Sequence, residues 1–212
     1  MNSWRPGAGS RGPATAMSDS PRELALFPLN TVLFPGGPLP LRIFETRYLD
    51  MVRRCLREGC GFGVVLIARG RDVESAPKFV EVGTEARIVD FSRLDDGLLG
   101  ITCVGRERFR VIGSRQQADR LNLGTVADIP AEPALPVPGE FAFLAEALKK
   151  ILPELGDFYA TVERRFDDAA WVGHRLAELL PLASADKQAL LELQDPLARL
   201  QAIAPLIRAA EG

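Results

Sequence analysis

Residues able to do chemistry are sparse in this 212-residue sequence. His174 is its single histidine, so any Ser-His-Asp or Cys-His site must use it. It falls three residues after Trp171, inside a helical pattern and in no nucleophile motif, and reads as a packed or helix-surface histidine. Cys55, Cys60 and Cys103 form an odd set that cannot be a disulfide framework. Together with His174 they lack the paired close spacing of a structural zinc site, so no metal is expected. Ser-Lys chemistry would draw on Lys78, Lys149, Lys150 or Lys187, none of which has a recognisable nucleophile setting. The absence of any Gly-Lys-Ser/Thr excludes a Walker-type ATPase. Gly59-Cys60-Gly61-Phe62-Gly63 lacks the third spaced glycine of a dinucleotide loop and precedes a strand, so it reads as a helix stop and turn. Asp95-Asp96 and Asp167-Asp168 are explained as turn and cap residues. No catalytic residue and no cofactor is assigned.

Arg106, Arg108 and Arg110 alternate with Glu107, Phe109 and Val111, which on a strand puts three arginines on one face. They are expected to be a solvated face, because the aromatic interleaving that stacks bases is missing. A formal charge of −2 and a pI near 5.6 give no global attraction to a polyanion. No segment approaches the roughly 20 apolar residues of a membrane span, and no apolar signal region opens the chain, so a cytoplasmic protein is expected.

The elements that must position these residues change character along the chain. Residues 1–22, rich in Gly, Pro, Ser and Ala, read as a disordered leader, with Met17 an alternative start. From Glu23 to about Ile129, short apolar runs punctuated by Gly, Pro and Asp predict strands. The runs are Leu24–Leu29, Phe62–Ala68, Val80–Phe91, Leu98–Val104 and Leu123–Ile129. Leu94-Asp95-Asp96-Gly97 suits a hairpin. One helix is inserted at Thr46–Glu58, with Tyr48, Leu49, Val52, Cys55 and Leu56 as its stripe and Gly59 as its stop. Residues 130–139, with four prolines, read as a linker. Beyond it, residues 140–212 turn helical. Leu144, Leu148, Ile151 and Leu152 share a face, and Phe158, Val162 and Phe166 make the next stripe. A helix from Ala169 carries an Asp167 or Asp168 cap, and shorter helices follow at Asp186–Leu193 and from Asp195-Pro196.

The opening segment carries the most specific pattern. Phe27-Pro28-Leu29, Val32-Leu33-Phe34-Pro35-Gly36, Leu39-Pro40-Leu41, Ile43-Phe44-Glu45 and Arg47-Tyr48 resemble the N-terminal substrate-binding domain of Lon-type ATP-dependent proteases, in its stand-alone bacterial form. Gly61-Phe62-Gly63-Val64-Val65, Val82-Gly83-Thr84, Gly105-Arg106, the stretch Leu176–Leu182 and Asp186-Lys187-Gln188 extend the likeness to about Ile207. The resemblance implies an α+β fold: a β-rich, PUA-like pseudo-barrel over residues 23–129, followed by a C-terminal helical bundle. It implies no enzyme, because the family's ATPase and Ser-Lys protease domains would follow the last residue, Gly212.

The function implied is binding of unfolded or damaged polypeptide, or an adaptor role towards a protease in protein quality control. Candidate peptide contacts are Phe34, Pro35, Leu39, Arg42, Phe44 and Tyr48. The alternative is a nucleic-acid-binding module using Arg106, Arg108 and Arg110, which fold analogy supports only weakly. The two readings call for different surfaces: an apolar groove beside Phe34–Tyr48, or a continuous basic surface around Arg108.

Overall fold

The computed structural model describes residues 20–68, 79–156, 159 and 162–210. The expected leader lies outside them up to residue 19, as do Lys78 and Phe158.

Six strands form the first half: β1 (Arg22–Leu29), β2 (Pro38–Ile43), β3 (Phe62–Ile67), β4 (Phe79–Arg93), β5 (Leu99–Gln116) and β6 (Asn122–Asp128). They run in the order β2-β5-β4-β3-β1-β6, and a further β5–β6 pairing closes β1, β3, β4, β5 and β6 into a ring. A closed ring leaves no unpaired edge among its members. β5 makes closure possible by its length. Its Leu99–Val104 portion pairs with β2 and its Phe109–Gln116 portion with β6, while β4 lies along its other side. The Leu94–Gly97 hairpin joining β4 to β5 forms as expected, with the Gly97 N–H donating to the Leu94 carbonyl.

β1 and β3 are parallel, and a parallel pair needs a crossover connection. β2 and helix α1 (Thr46–Glu58) supply it. Gly59 ends α1 in the left-handed region at φ 63°, where a glycine carries no steric cost. The helix buries Tyr48, Met51, Val52 and Cys55 against Phe27, Ile43, Phe62, Ile101 and Cys103. Its buried stripe differs from the expected one by a slight rotation: Met51 is inside and Leu56 is exposed. A second cluster, Leu24, Leu26, Val65, Phe109, Val111 and Val126, fills the ring.

The helical part comprises α2 (Ala142–Ile151), α3 (Ala169–Leu179), α4 (Ser184–Glu192) and α5 (Pro196–Ala210). Asp168 caps α3, its carboxylate accepting from the Ala170 and Trp171 N–H groups, and Asp195 accepts from the Leu197 N–H at the start of α5. Two expectations change here. Ile151 is exposed, because the chain tightens into a 3₁₀ turn at Leu152–Leu155. Val162 to Phe166 form no helix, and Phe166 instead packs edge-on against Trp171 with ring centroids 5.2 Å apart.

The largest core cluster joins the two halves. Leu144, Leu148, Val172, Leu176, Leu191, Leu200 and Ile203 from the helices pack with Val32, Phe34, Leu66 and Val82 from the strand region. Phe34 is 0% exposed at this seam. Phe34→Ala is expected to destabilise the chain by about 3–5 kcal/mol, the usual cost of emptying a large aromatic site. Phe44→Ala, at a side chain 69% exposed, should stay within about 0.5 kcal/mol. Urea unfolding of the two variants compares them.

Candidate binding site

Local chemistry of the Val32–Pro38 segment builds the site. Pro35-Gly36-Gly37-Pro38 cannot continue a strand and reverses the chain. The turn seats on β5 at Gly105: the Gly36 N–H donates to the Gly105 carbonyl at 2.8 Å, and the Gly105 N–H to the Gly37 carbonyl at 2.9 Å. A side chain at residue 105 would collide with the Phe34 carbonyl, so only glycine permits this approach. Thr84 Oγ1 donates to the Leu33 carbonyl at 2.6 Å, and the guanidinium of the buried Arg175 on α3 donates to the Pro35 carbonyl at 2.9 Å.

Alternation along β2 then decides which side chains face outward. Leu39, Leu41 and Ile43 pack against the α1 cluster. Pro38, Pro40 and Arg42 take the opposite face, in register with Val104, Thr102 and Gly100 of β5. Two depressions lie on that face. A cleft of about 550 Å³ at the junction with α3 is lined by Pro35, Pro38, Val89, Val104, Ile129 and Trp171, among others. A depression of about 690 Å³ extends towards the β4–β5 hairpin, lined by Pro40, Arg42, Phe91 and Leu94 among others. Thr102 lines both, so the two adjoin as one furrow across β2 and β5.

Charge gathers at the inner end of the cleft. Glu132 accepts two hydrogen bonds from the Arg199 guanidinium of α5, at 2.7 and 2.6 Å. Arg108 Nη2 stands 2.8 Å from the same carboxylate and His174 Nε2 3.4 Å from it. Arg108 also donates to the Leu191 and Leu193 carbonyls, both at 2.6 Å. Burial pushes the Glu132 carboxyl up, but the His174 contact and the Arg199 guanidinium outweigh it and hold the group down to about 2. Burial also takes His174 down to about 4, against the opposing pull of Glu132, so the imidazole is neutral at physiological pH.

This corrects the expectation of three solvated arginines. Arg106 and Arg110 are exposed, but Arg108 is 4% exposed and ion-paired. A register shift between Thr84 and Ala86 rotates the strand there, so that Arg106 and Glu107 face out together and Arg108 and Phe109 face in. With its central member buried, the row offers no continuous basic surface. His174 is a packed histidine, as expected, and among the described residues that line the cleft the only hydroxyl side chain is that of Thr102.

The six contacts expected from sequence separate cleanly. Pro35 lines the cleft and Arg42 the second depression, where it is ion-paired with Asp96. Phe44 is exposed beyond the furrow. Phe34 and Tyr48 are buried and Leu39 faces the α1 cluster, so these three support the fold. Tyr48 stacks edge-on to Phe27 with centroids 4.0 Å apart. Val89, Thr102, Val104 and Trp171 line the furrow and were not legible as contacts. Strand pairing brings Val89, Thr102 and Val104 to this face, and packing of α3 on the strand region brings Trp171.

A closed ring carrying a helical layer, with a furrow of mixed apolar and charged lining at their seam, defines a binding module of the α+β class. The chain belongs to the family described as the ATP-dependent protease La (LON) substrate-binding domain, whose model matches residues 23–209. Its fold resembles the crystal structure of a Lon N-terminal domain protein from Xanthomonas campestris, with a TM-score of 0.72 and 40% identity, covering 87% of this chain and 98% of that one. The N-terminal domain of a Lon protease from the Mycobacterium avium complex shares the fold at a TM-score of 0.59 and 18% identity, covering 86% of this chain and 96% of that one. Lon protease 2 of Myxococcus xanthus is 27% identical over 197 residues, which are 89% of this chain and 24% of that protein. Protein cereblon of Danio rerio is 34% identical over 124 residues, 57% of this chain and 28% of that protein. The chain thus spans about a quarter of the length of the curated relatives it matches.

Two predictions rest on the charged cluster. Glu132→Gln leaves two buried guanidinium groups without a counter-charge and should cost about 3 kcal/mol or more in urea unfolding. Stability should also fall with acid in two overlapping stages. His174 binds its proton more weakly folded than unfolded, so stability drops as pH falls from its ordinary 6.5 towards 4. Glu132 stabilises above its ordinary 4.5, and that contribution is lost as pH falls towards 2. A His174→Gln variant should show no loss between pH 6.5 and 5 in the same measurement.

Proposed function

We propose that this chain binds extended, apolar polypeptide segments of unfolded or damaged proteins in the furrow across β2 and β5, without catalysing their cleavage, and presents them to a protease as a cytoplasmic quality-control adaptor. Family membership supports a substrate-binding role. The observation that carries the site is the shared Thr102, which makes one continuous surface of two depressions floored by Pro38, Pro40 and Val104. Prolines and valines offer contact area at low conformational cost and without directional hydrogen bonds, which suits a surface that must accept many sequences. Pro35 and Arg42 contribute at its two ends, and Phe44 flanks it. Among the described residues no helix is long and apolar enough to cross a membrane.

Nucleic acid is the weaker reading, because Arg108 is committed to Glu132 and two carbonyls. The test measures fluorescence anisotropy of labelled, reduced and carboxymethylated protein against the intact chain. Val89→Glu and Thr102→Glu should each weaken binding about tenfold or more, the cost of placing a carboxylate against an apolar ligand. Phe44→Glu should change it less than about threefold, as expected of a rim contact. No binding by the intact chain would sink the reading, and loss confined to Phe44→Glu would move the site off the furrow.

A further inference from the structure

Three cysteines play no part in the furrow, and two of them meet at the end of α1. The Gly59 and Cys60 N–H groups both turn back onto the Cys55 carbonyl, the Cys60 bond measuring 3.1 Å. This closure brings residues five apart in sequence face to face across the helix terminus, positions that commonly make a side-chain contact in such a motif. Cys55 is buried and Cys60 half-buried in the same apolar cluster, and the Cys55 thiol donates to the Gly61 carbonyl at 3.5 Å, on the turn that carries Cys60. Cys103 on β5 is also near Cys55 but fully buried.

We propose that Cys55 and Cys60 are a thiol pair that an oxidant of the peroxide class converts to a disulfide, a modification site at the C-terminus of α1. Cys60, the more accessible thiol, attacks a peroxide oxygen; an S–O bond forms, the O–O bond breaks, and the first water leaves. The Cys55 sulfur then attacks the Cys60 sulfenic acid. The S–S bond forms, the S–O bond breaks, and the departing hydroxide takes the Cys55 proton as the second water. Two thiols are oxidised by two electrons and one peroxide is reduced to two waters. Burial and the neighbouring Cys60 push the Cys55 thiol up to about 12. It is therefore a poor first target and serves as the resolving partner. The loop closed is short, so the bond constrains the unfolded chain little and is open to reversal by thiol reductants.

The full chain, reduced and then exposed to hydrogen peroxide, is digested with trypsin without reduction and read by mass spectrometry. Cleavage after Arg54 and Arg57 puts the two cysteines on separate peptides, so the disulfide alone joins them. The expected result is a linked pair carrying Cys55 and Cys60, with two of three thiols lost to a thiol reagent. Cys103→Ser should leave the link intact and Cys60→Ser should abolish it. A Cys55–Cys103 link, a Cys60–Cys60 link between chains, Cys60 sulfinic acid without a disulfide, or three thiols still free in the folded chain would each overturn the proposal.

Discussion

The Glu132 carboxylate is the point at which the two halves of this protein are held. One side chain on the proline-rich segment collects Arg108 from β5, Arg199 from α5 and His174 from α3. A carboxylate buried to this extent is tolerable only when paired, and here the pairing partners come from three elements distant in sequence. Burial of Arg108 and Arg199 in turn requires Glu132, together with the Leu190, Leu191 and Leu193 carbonyls that complete their hydrogen bonding. Each charge is admissible because the others are present, so the cluster fixes one mutual placement of strand, strap and helices.

The furrow inherits its shape from that placement. Its inner wall is α3, set by Arg175 holding the Pro35 carbonyl and by Glu132 beneath His174. Its floor is β2 against β5, set by the Gly36–Gly105 exchange. The parts that line the surface are apolar side chains such as Pro38, Val104 and Trp171 beside charged ones such as Arg106, Glu163 and Asp95. What makes them line a furrow is that polar contacts behind them leave a gap between ring and helices which the core does not fill.

Much of this was legible in the sequence. Thr46–Glu58, Gly59, the Leu94–Gly97 hairpin and the Asp168 cap are local signals, decided by residues within a few positions of one another, and they fall where the chain says. The α+β order follows from the change of period after residue 139. The furrow was less legible, because it is made by register. Whether Leu39 or Pro38 faces outward depends on which face α1 covers, and Val89 or Thr102 becomes a contact only through pairing with a strand elsewhere in the chain. Arg108 departs from the expected solvated row for a similar reason. Strict alternation holds only for an unbroken ladder, and the shift at Thr84–Ala86 breaks it. For Phe34 and Tyr48 sequence alone does not separate the two roles, because aromatics serve cores and binding surfaces alike.

Ring closure also dictates an order of events during synthesis. β1 emerges first, yet it pairs only with β3 and β6, and Arg22 finds its partner at Val126. Until that distant strand is made, the apolar run Leu24-Ala25-Leu26-Phe27 has no finished sheet to enter. Folding of the first half is therefore tied to a long-range contact, which favours slow closure over rapid local collapse. The nascent chain itself exposes, for that interval, the kind of extended apolar segment that quality-control systems recognise.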